Sequence, residues 1–69
     1  MKITYDNIAD AMYIRMGKGK IAKTVKMQGR LIVDINKAGK VVGIEILDAS
    51  SQIPKRELGK IDLGLPISV

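Results

Sequence analysis

The chain has 69 residues and carries 12 Lys or Arg against 7 Asp or Glu, so its formal net charge is +5. This length allows one domain at most. Folding costs roughly 1.5 kcal/mol of conformational entropy per residue, and the apolar area that so short a chain can bury barely offsets that cost. We therefore expect a homo-oligomer, most simply a dimer. His and Cys are both absent, which excludes Cys or His zinc sites, Ser-His-Asp and Cys-His catalysis, and disulfide scaffolds. We predict no cofactor, no metal site and no enzymatic activity.

The apolar residues favour a β-sheet, because they include 11 Ile, 5 Val and 5 Leu with no Phe or Trp. No apolar run approaches the ~18 residues of a membrane span. The first residues, Met1-Lys2-Ile3-Thr4, also lack the apolar core of a signal peptide. The sequence therefore predicts a cytoplasmic protein with no membrane association.

Turn residues recur at short intervals and separate runs of strand character. The turns are Asp6-Asn7, Gly17-Lys18-Gly19, Gln28-Gly29-Arg30 and Asn36-Lys37-Ala38-Gly39. They predict strands at residues 2–5, 11–16, 21–27, 31–36 and 41–48. The fold class is mainly β (α+β), an antiparallel β-meander of about five strands.

The predicted hairpins agree on which face of the sheet is apolar. They pair Met16 with Ile21, Met27 with Leu31, and Ile35 with Val42, and a slip of one residue would reverse every side chain. The apolar face then carries Met12, Ile14, Met16, Ile21, Val25, Met27, Leu31, Val33, Ile35, Val42, Ile44 and Ile46, with Lys23 among them. The other face is half polar.

The pattern changes after Asp48. Ser50 or Ser51 can cap a short helix at residues 52–58, Pro54 suits its first turn, and Gly59 ends it. An alternating segment follows, and Pro66 restricts it to an edge strand or an extended arm. Its apolar positions form the candidate oligomer arm: Ile61, Leu63, Leu65, Ile67 and Val69. We expect residues 1–50 to form the sheet, and residues 51–69 to belong to the same single domain and to contribute to a dimer interface.

The polar face holds the residues best suited to chemistry. They are Tyr13, Arg15, Thr24, Lys26, Asp34 and Glu45. Gly43 leaves a gap opposite Asp34 that a ligand or a neighbouring group could enter. A cross-strand hydrogen-bond ladder, with Arg15 near Asp34 and Lys26 near Glu45, is the favoured interpretation, and an enzyme built on Asp34 and Glu45 is a distant alternative. Asp6 and Asp10 could hold a cation, but turn formation explains them better.

Basic residues concentrate in the first part of the chain. Residues 1–40 have a net charge of +6, against −1 for residues 41–69. The candidate basic patch is Lys18, Lys20, Lys23 and Arg30. A nucleic-acid-binding or regulatory module that uses the basic hairpin at residues 15–30 is the alternative function. Against it, no aromatic side chain interleaves these bases for stacking, and lysines on exposed strands also prevent edge-to-edge aggregation.

Two motifs carry a family resemblance. They are Tyr5-Asp6-x-x-Ala9-Asp10-Ala11-Met12-Tyr13-Ile14-Arg15, and Val33-Asp34-Ile35 followed by Gly39-Lys40-Val41-Val42-Gly43-Ile44-Glu45-Ile46-Leu47-Asp48-Ala49-Ser50. Over roughly residues 1–50 the chain resembles the small prokaryotic proteins catalogued as domain of unknown function 2283. The resemblance implies a prokaryotic, cytoplasmic protein and no particular chemistry. The leading hypothesis is therefore a non-enzymatic module that self-associates or binds another protein.

Overall fold

A computed structural model describes residues 1–60, apart from the side chain at position 55. Five strands form one antiparallel sheet: β1 (Lys2–Asp6), β2 (Ala11–Arg15), β3 (Lys23–Met27), β4 (Leu31–Ile35) and β5 (Val41–Leu47). Two short helices follow, α1 (Ala49–Gln52) and α2 (Lys55–Leu58). The predicted antiparallel sheet of five strands with a short helix near its C-terminal end is confirmed.

The strand order corrects the simple meander. The order is β1-β2-β5-β4-β3, so β5 lies between β2 and β4, and the expected hairpin between Met16 and Ile21 is wrong. The segment between β2 and β3 instead runs past the ends of β5 and β4, where the amide of Met16 donates to the Val42 carbonyl and the amide of Ala22 donates to the Ile35 carbonyl. Seven residues span the three interstrand spacings of about 4.8 Å each without difficulty. Gly17-Lys18-Gly19 is therefore part of a crossing connection rather than a tight turn.

The expected division into two faces survives this change of partner. Ile14 pairs with Ile44, and Ile44 pairs with Val33 on its other side, so the apolar residues of three strands share a face. A register shift in β5 pairs Ile35 with Val41 instead of Val42, and Val42 is buried. Faces depend on the two-residue period within each strand, and that period does not depend on which strands are neighbours.

The core is small. Among the described residues, Met12, Val42 and Ala49 are the buried apolar side chains. The central side chains of the apolar face, Val33 and Ile44, are only partly buried. The apolar face therefore has no complete covering layer within residues 1–60.

The single predicted helix at residues 52–58 is wrong in detail, because the structure has two separate helical turns with a break between them, α1 ending at the start of this range and α2 lying within it. Ile53 is extended, with φ −124° and ψ 126°, and Pro54 precedes α2. The ring of proline disfavours helical geometry in the residue before it, which explains the break. Asp48 precedes α1 in a left-handed conformation without a side-chain cap, so the predicted serine caps are absent, whereas Gly59 does end α2. The predicted arm at Ile61, Leu63, Leu65, Ile67 and Val69 lies outside the described residues.

Candidate functional site

The centre of the polar face is a hydrogen-bonded network on one carboxylate. The hydroxyl of Tyr13 on β2 donates to Oδ2 of Asp34 on β4 at 2.8 Å, and the hydroxyl of Thr24 on β3 donates to Oδ1 at 2.8 Å. Tyr13 must reach across β5 to make this contact, because β5 separates β2 from β4. The network therefore links β2, β4 and β3 across the top of β5.

Gly43 on β5 makes this reach possible. Asp34 is the cross-strand partner of Gly43, and a Cβ at Gly43 would overlap the hydroxyl and ring of Tyr13. The gap expected opposite Asp34 is real, and the tyrosine of the same chain fills it. The arrangement is a cross-strand hydrogen-bond network rather than an open ligand site, and its donors are Tyr13 and Thr24 instead of the predicted Arg15.

The network shifts the ionisation of its tyrosine. The hydrogen bond to Asp34 is the main cause of a raised pKa for Tyr13, and partial burial and the negative charge of Asp34 add to it. The nearby Arg15 opposes this rise in pKa. Tyr13 is therefore a hydrogen-bond donor at neutral pH and a poor general base.

The other polar-face predictions differ from the structure. Arg15 does not bond Asp34: its Nε donates to the Gly17 carbonyl at 2.9 Å and its Nη2 donates to the Gly19 carbonyl at 3.0 Å. These contacts fasten the β2–β3 connection. Lys26 makes no ion pair with Glu45, since the ion pairs in the described part of the chain lie elsewhere.

A second network joins the β1–β2 turn to the start of α1. Oδ1 and Oδ2 of Asp10 accept hydrogen bonds from the backbone amide and the hydroxyl of Ser50, and the Tyr5 hydroxyl donates to Oδ1 at 2.6 Å. The Asp10 carbonyl also accepts from the Ala49 amide at 2.9 Å. This long-range role of Asp10 was missed at the sequence level, although Asp10 and Ser50 both belong to the motifs quoted above. The bond to Asp10 is also the main cause of a raised pKa for Tyr5.

Asp6 behaves as the turn interpretation predicts. Its Oδ1 accepts from the amides of Ile8 and Ala9 at 2.9 and 3.1 Å. Within residues 1–60, His, Cys, Asp and Glu side chains form no group of three or more that could hold a metal ion. Asp6 and Asp10 are therefore accounted for by structural hydrogen bonds.

The predicted basic patch divides between the two ends of the sheet. Arg30 follows the β3–β4 turn, where its Nη1 lies 2.9 Å from Oδ2 of Asp48. Lys18, Lys20 and Lys23 lie at the opposite end, near the end of β2 and the start of β3.

Antiparallel topology gathers further bases at that opposite end, which we call the basic end. The start of β1, the end of β2, the start of β3 and the β4–β5 turn all meet there. The basic end comprises Lys2, Arg15, Lys18, Lys20, Lys23, Lys37 and Lys40. The carboxylate of β4, Asp34, lies one residue before the end of that strand. It already accepts two hydrogen bonds from side chains of the same chain.

A family model described as Protein of unknown function (DUF2283) matches residues 2–50 of the chain. The chain belongs to this family. The matched range includes Asp10, Tyr13, Asp34, Gly43 and Ser50. In this DUF2283 protein those residues hold strands and turns together.

Comparison with curated proteins found no match, and comparison with solved structures found none either. Among the described residues of this DUF2283 protein, neither helix is long and apolar enough to cross a membrane.

Proposed function

We propose that this protein is a non-enzymatic module that associates with a second copy of itself through the apolar face of its sheet. One observation carries the proposal: Val33 and Ile44, at the centre of a five-stranded sheet, are only partly buried. A sheet normally buries its apolar face against a second layer. Residues 1–60 do not supply such a layer in full.

The exposure of its side chains supports a second copy as the occupant. Met27 and Tyr5 lie on the apolar face of the two edge strands and are 47% and 36% exposed. An apolar face left open in this way marks an interface. Two apolar faces placed together would supply the missing layer, as in a β-sandwich.

Met27 offers a clean test, because its side chain lies on the apolar face and is 47% exposed. Met27→Lys leaves the isolated subunit intact but places a charge in the proposed interface, so sedimentation should show association weakened roughly tenfold or more. Ile8→Lys is the matched control, since Ile8 lies in the β1–β2 turn and is 94% exposed. Unchanged association in Met27→Lys, or an equal loss in Ile8→Lys, would exclude the apolar face as the interface.

Nucleic-acid binding is a second candidate, and the basic end is the observation that favours it. Seven bases drawn from five segments of the chain share that end. Binding of duplex or single-stranded nucleic acid should weaken steeply as salt rises, because displaced counterions drive such contacts. Lys18→Glu with Lys20→Glu should abolish binding, whereas Arg30→Glu at the other end should have little effect. Weak, salt-independent binding would exclude this candidate.

A further inference from the structure

The two edges of the sheet differ in how well they are protected from other strands. β3 forms one edge with the sequence Lys23-Thr24-Val25-Lys26-Met27, and β1 forms the other with Lys2-Ile3-Thr4-Tyr5-Asp6. Lysines on an exposed edge are a common defence against pairing with another chain. β3 has two of them and no acid, whereas β1 has one base at its start and one acid at its end.

We propose that β1 pairs with β1 of a second copy, antiparallel and centred on Thr4. In this register Lys2 lies opposite Asp6 of the second copy, Ile3 lies opposite Tyr5, and Thr4 lies opposite Thr4. A two-fold axis repeats each contact, so the pairing is self-complementary and closes as a dimer. The two sheets become one sheet of ten strands with a continuous apolar face, which stays available for the association proposed for that face.

Charge favours this pairing over the same pairing at β3. Opposite charges directly across a strand pair stabilise it, and β1 makes two such pairs, from Lys2 to Asp6 in each direction. β3 centred on Val25 would instead place Thr24 opposite Lys26 and bring four lysines to one seam. The β1 edge is therefore complementary to itself, and the β3 edge is not.

The antiparallel arrangement of the two copies also makes their charged ends complementary. Lys2 and Lys18 border one groove at the basic end, whereas Asp6 and Asp10 lie in or beside the β1–β2 turn at the opposite end. Because antiparallel strands run in opposite directions, the basic end of each copy lies beside the acidic turn of the other.

The absence of cysteine from the chain allows a direct test of both the edge and the register. Thr4→Cys would place two thiols opposite each other with Cβ atoms roughly 5 Å apart, close enough for a disulfide. Lys2→Cys would leave the thiols four residues out of register, about 13 Å apart along the strand. Lys26→Cys places a thiol on the other edge. We expect mild oxidation of the full chain to cross-link the Thr4→Cys variant at least tenfold faster than either control, and equal rates in Thr4→Cys and a control would overturn the proposal.

Charge reversal tests the complementarity without a covalent bond. Lys2→Glu places two carboxylates opposite each other in each direction and should weaken the edge association roughly tenfold or more. Lys26→Glu makes the same change on β3 and should have no effect. Cross-linking of Thr4→Cys should persist in the Met27→Lys background, because the apolar face does not take part in the edge pairing. If Met27→Lys or Lys26→Glu abolishes the cross-link as Lys2→Glu does, the β1 edge is not the interface.

Discussion

The two faces of the sheet are built from the same five strands but end in different states. On the polar face, Tyr13, Thr24 and Asp34 form a closed network over Gly43. On the apolar face, the described residues leave Val33 and Ile44 partly exposed. The comparison shows where a partner could bind. The central polar side chains find their hydrogen-bond partners within the chain, whereas the apolar face still exposes side chains that a partner could cover.

The largest effect should come from a charge at the centre of the apolar face. Ile44→Asp places a carboxylate among Ile14 and Val33, its cross-strand neighbours. Loss of its hydration should cost ~3 kcal/mol or more, a large share of the stability of a small domain. Circular dichroism and thermal melting should therefore show an unfolded or barely folded chain.

Lys26→Asp is the matched control for this charge. Lys26 lies on the polar face of β3 and is exposed, so its replacement should alter the melting temperature only slightly. Equal destabilisation by Ile44→Asp and Lys26→Asp would mean that the two faces do not differ in the way described above.

The next effect should come from closing the space beneath Tyr13. Gly43→Ala forces the Tyr13 hydroxyl away from Asp34, because the new Cβ overlaps the tyrosine side chain. The overlap and the loss of that bond together should cost ~2 kcal/mol and lower the melting temperature by roughly 10 °C. Gly17→Ala is the control, since a Cβ at Gly17 meets nothing within 4 Å and should be neutral or slightly stabilising. A fully stable Gly43→Ala variant would show that the network contributes little.

Strand positions, faces and the β3–β4 and β4–β5 neighbours could be predicted from the sequence, but the pairing of β2 with β5 could not. The alternation in Leu31–Ile35 and Val41–Leu47 is local, so it gives the face of each residue away from the register shift at Ile35 and Val41. The position of β5 between β2 and β4 depends on the route of the β2–β3 connection, and a Gly-Lys-Gly sequence fits both a tight turn and a crossing loop. The wrong neighbour for β2 followed from that ambiguity.

The same limit applies to the candidate site. Asp34 and Thr24 were predicted to be close because they belong to one hairpin, and they are paired. The bond from Asp10 to Ser50 joins residues 40 positions apart, and no local pattern announces it.

A smaller loss of stability should follow from removing the Tyr13 hydroxyl while keeping its aromatic ring. Tyr13→Phe deletes the bond to Asp34 while Thr24 still donates to the other carboxylate oxygen. The expected loss is about 1 kcal/mol, measured by denaturant unfolding. Tyr5→Phe is the comparison, because the Tyr5 hydroxyl bonds Asp10 at an exposed position and its removal should cost less. A larger loss in Tyr5→Phe would place the important network at the β1–β2 turn instead of the polar face.

The smallest effect concerns alkaline pH, and the two tyrosines make it measurable because the chain has no Trp. Hydrogen bonds to Asp10 and Asp34 are the main causes that raise the pKa values of Tyr5 and Tyr13 above their ordinary 10.0. Since the folded-state pKa exceeds the unfolded value, the stabilisation is complete below pH 10 and is lost as pH rises through the folded-state pKa. An ultraviolet titration of tyrosinate should show that Asp34→Asn lowers the pKa of Tyr13 and leaves that of Tyr5 raised, because the amide carries no charge to hold the phenol protonated. An unchanged titration in Asp34→Asn would mean that Tyr13 and Asp34 do not remain bonded in solution, and the polar face would then be open to a ligand after all.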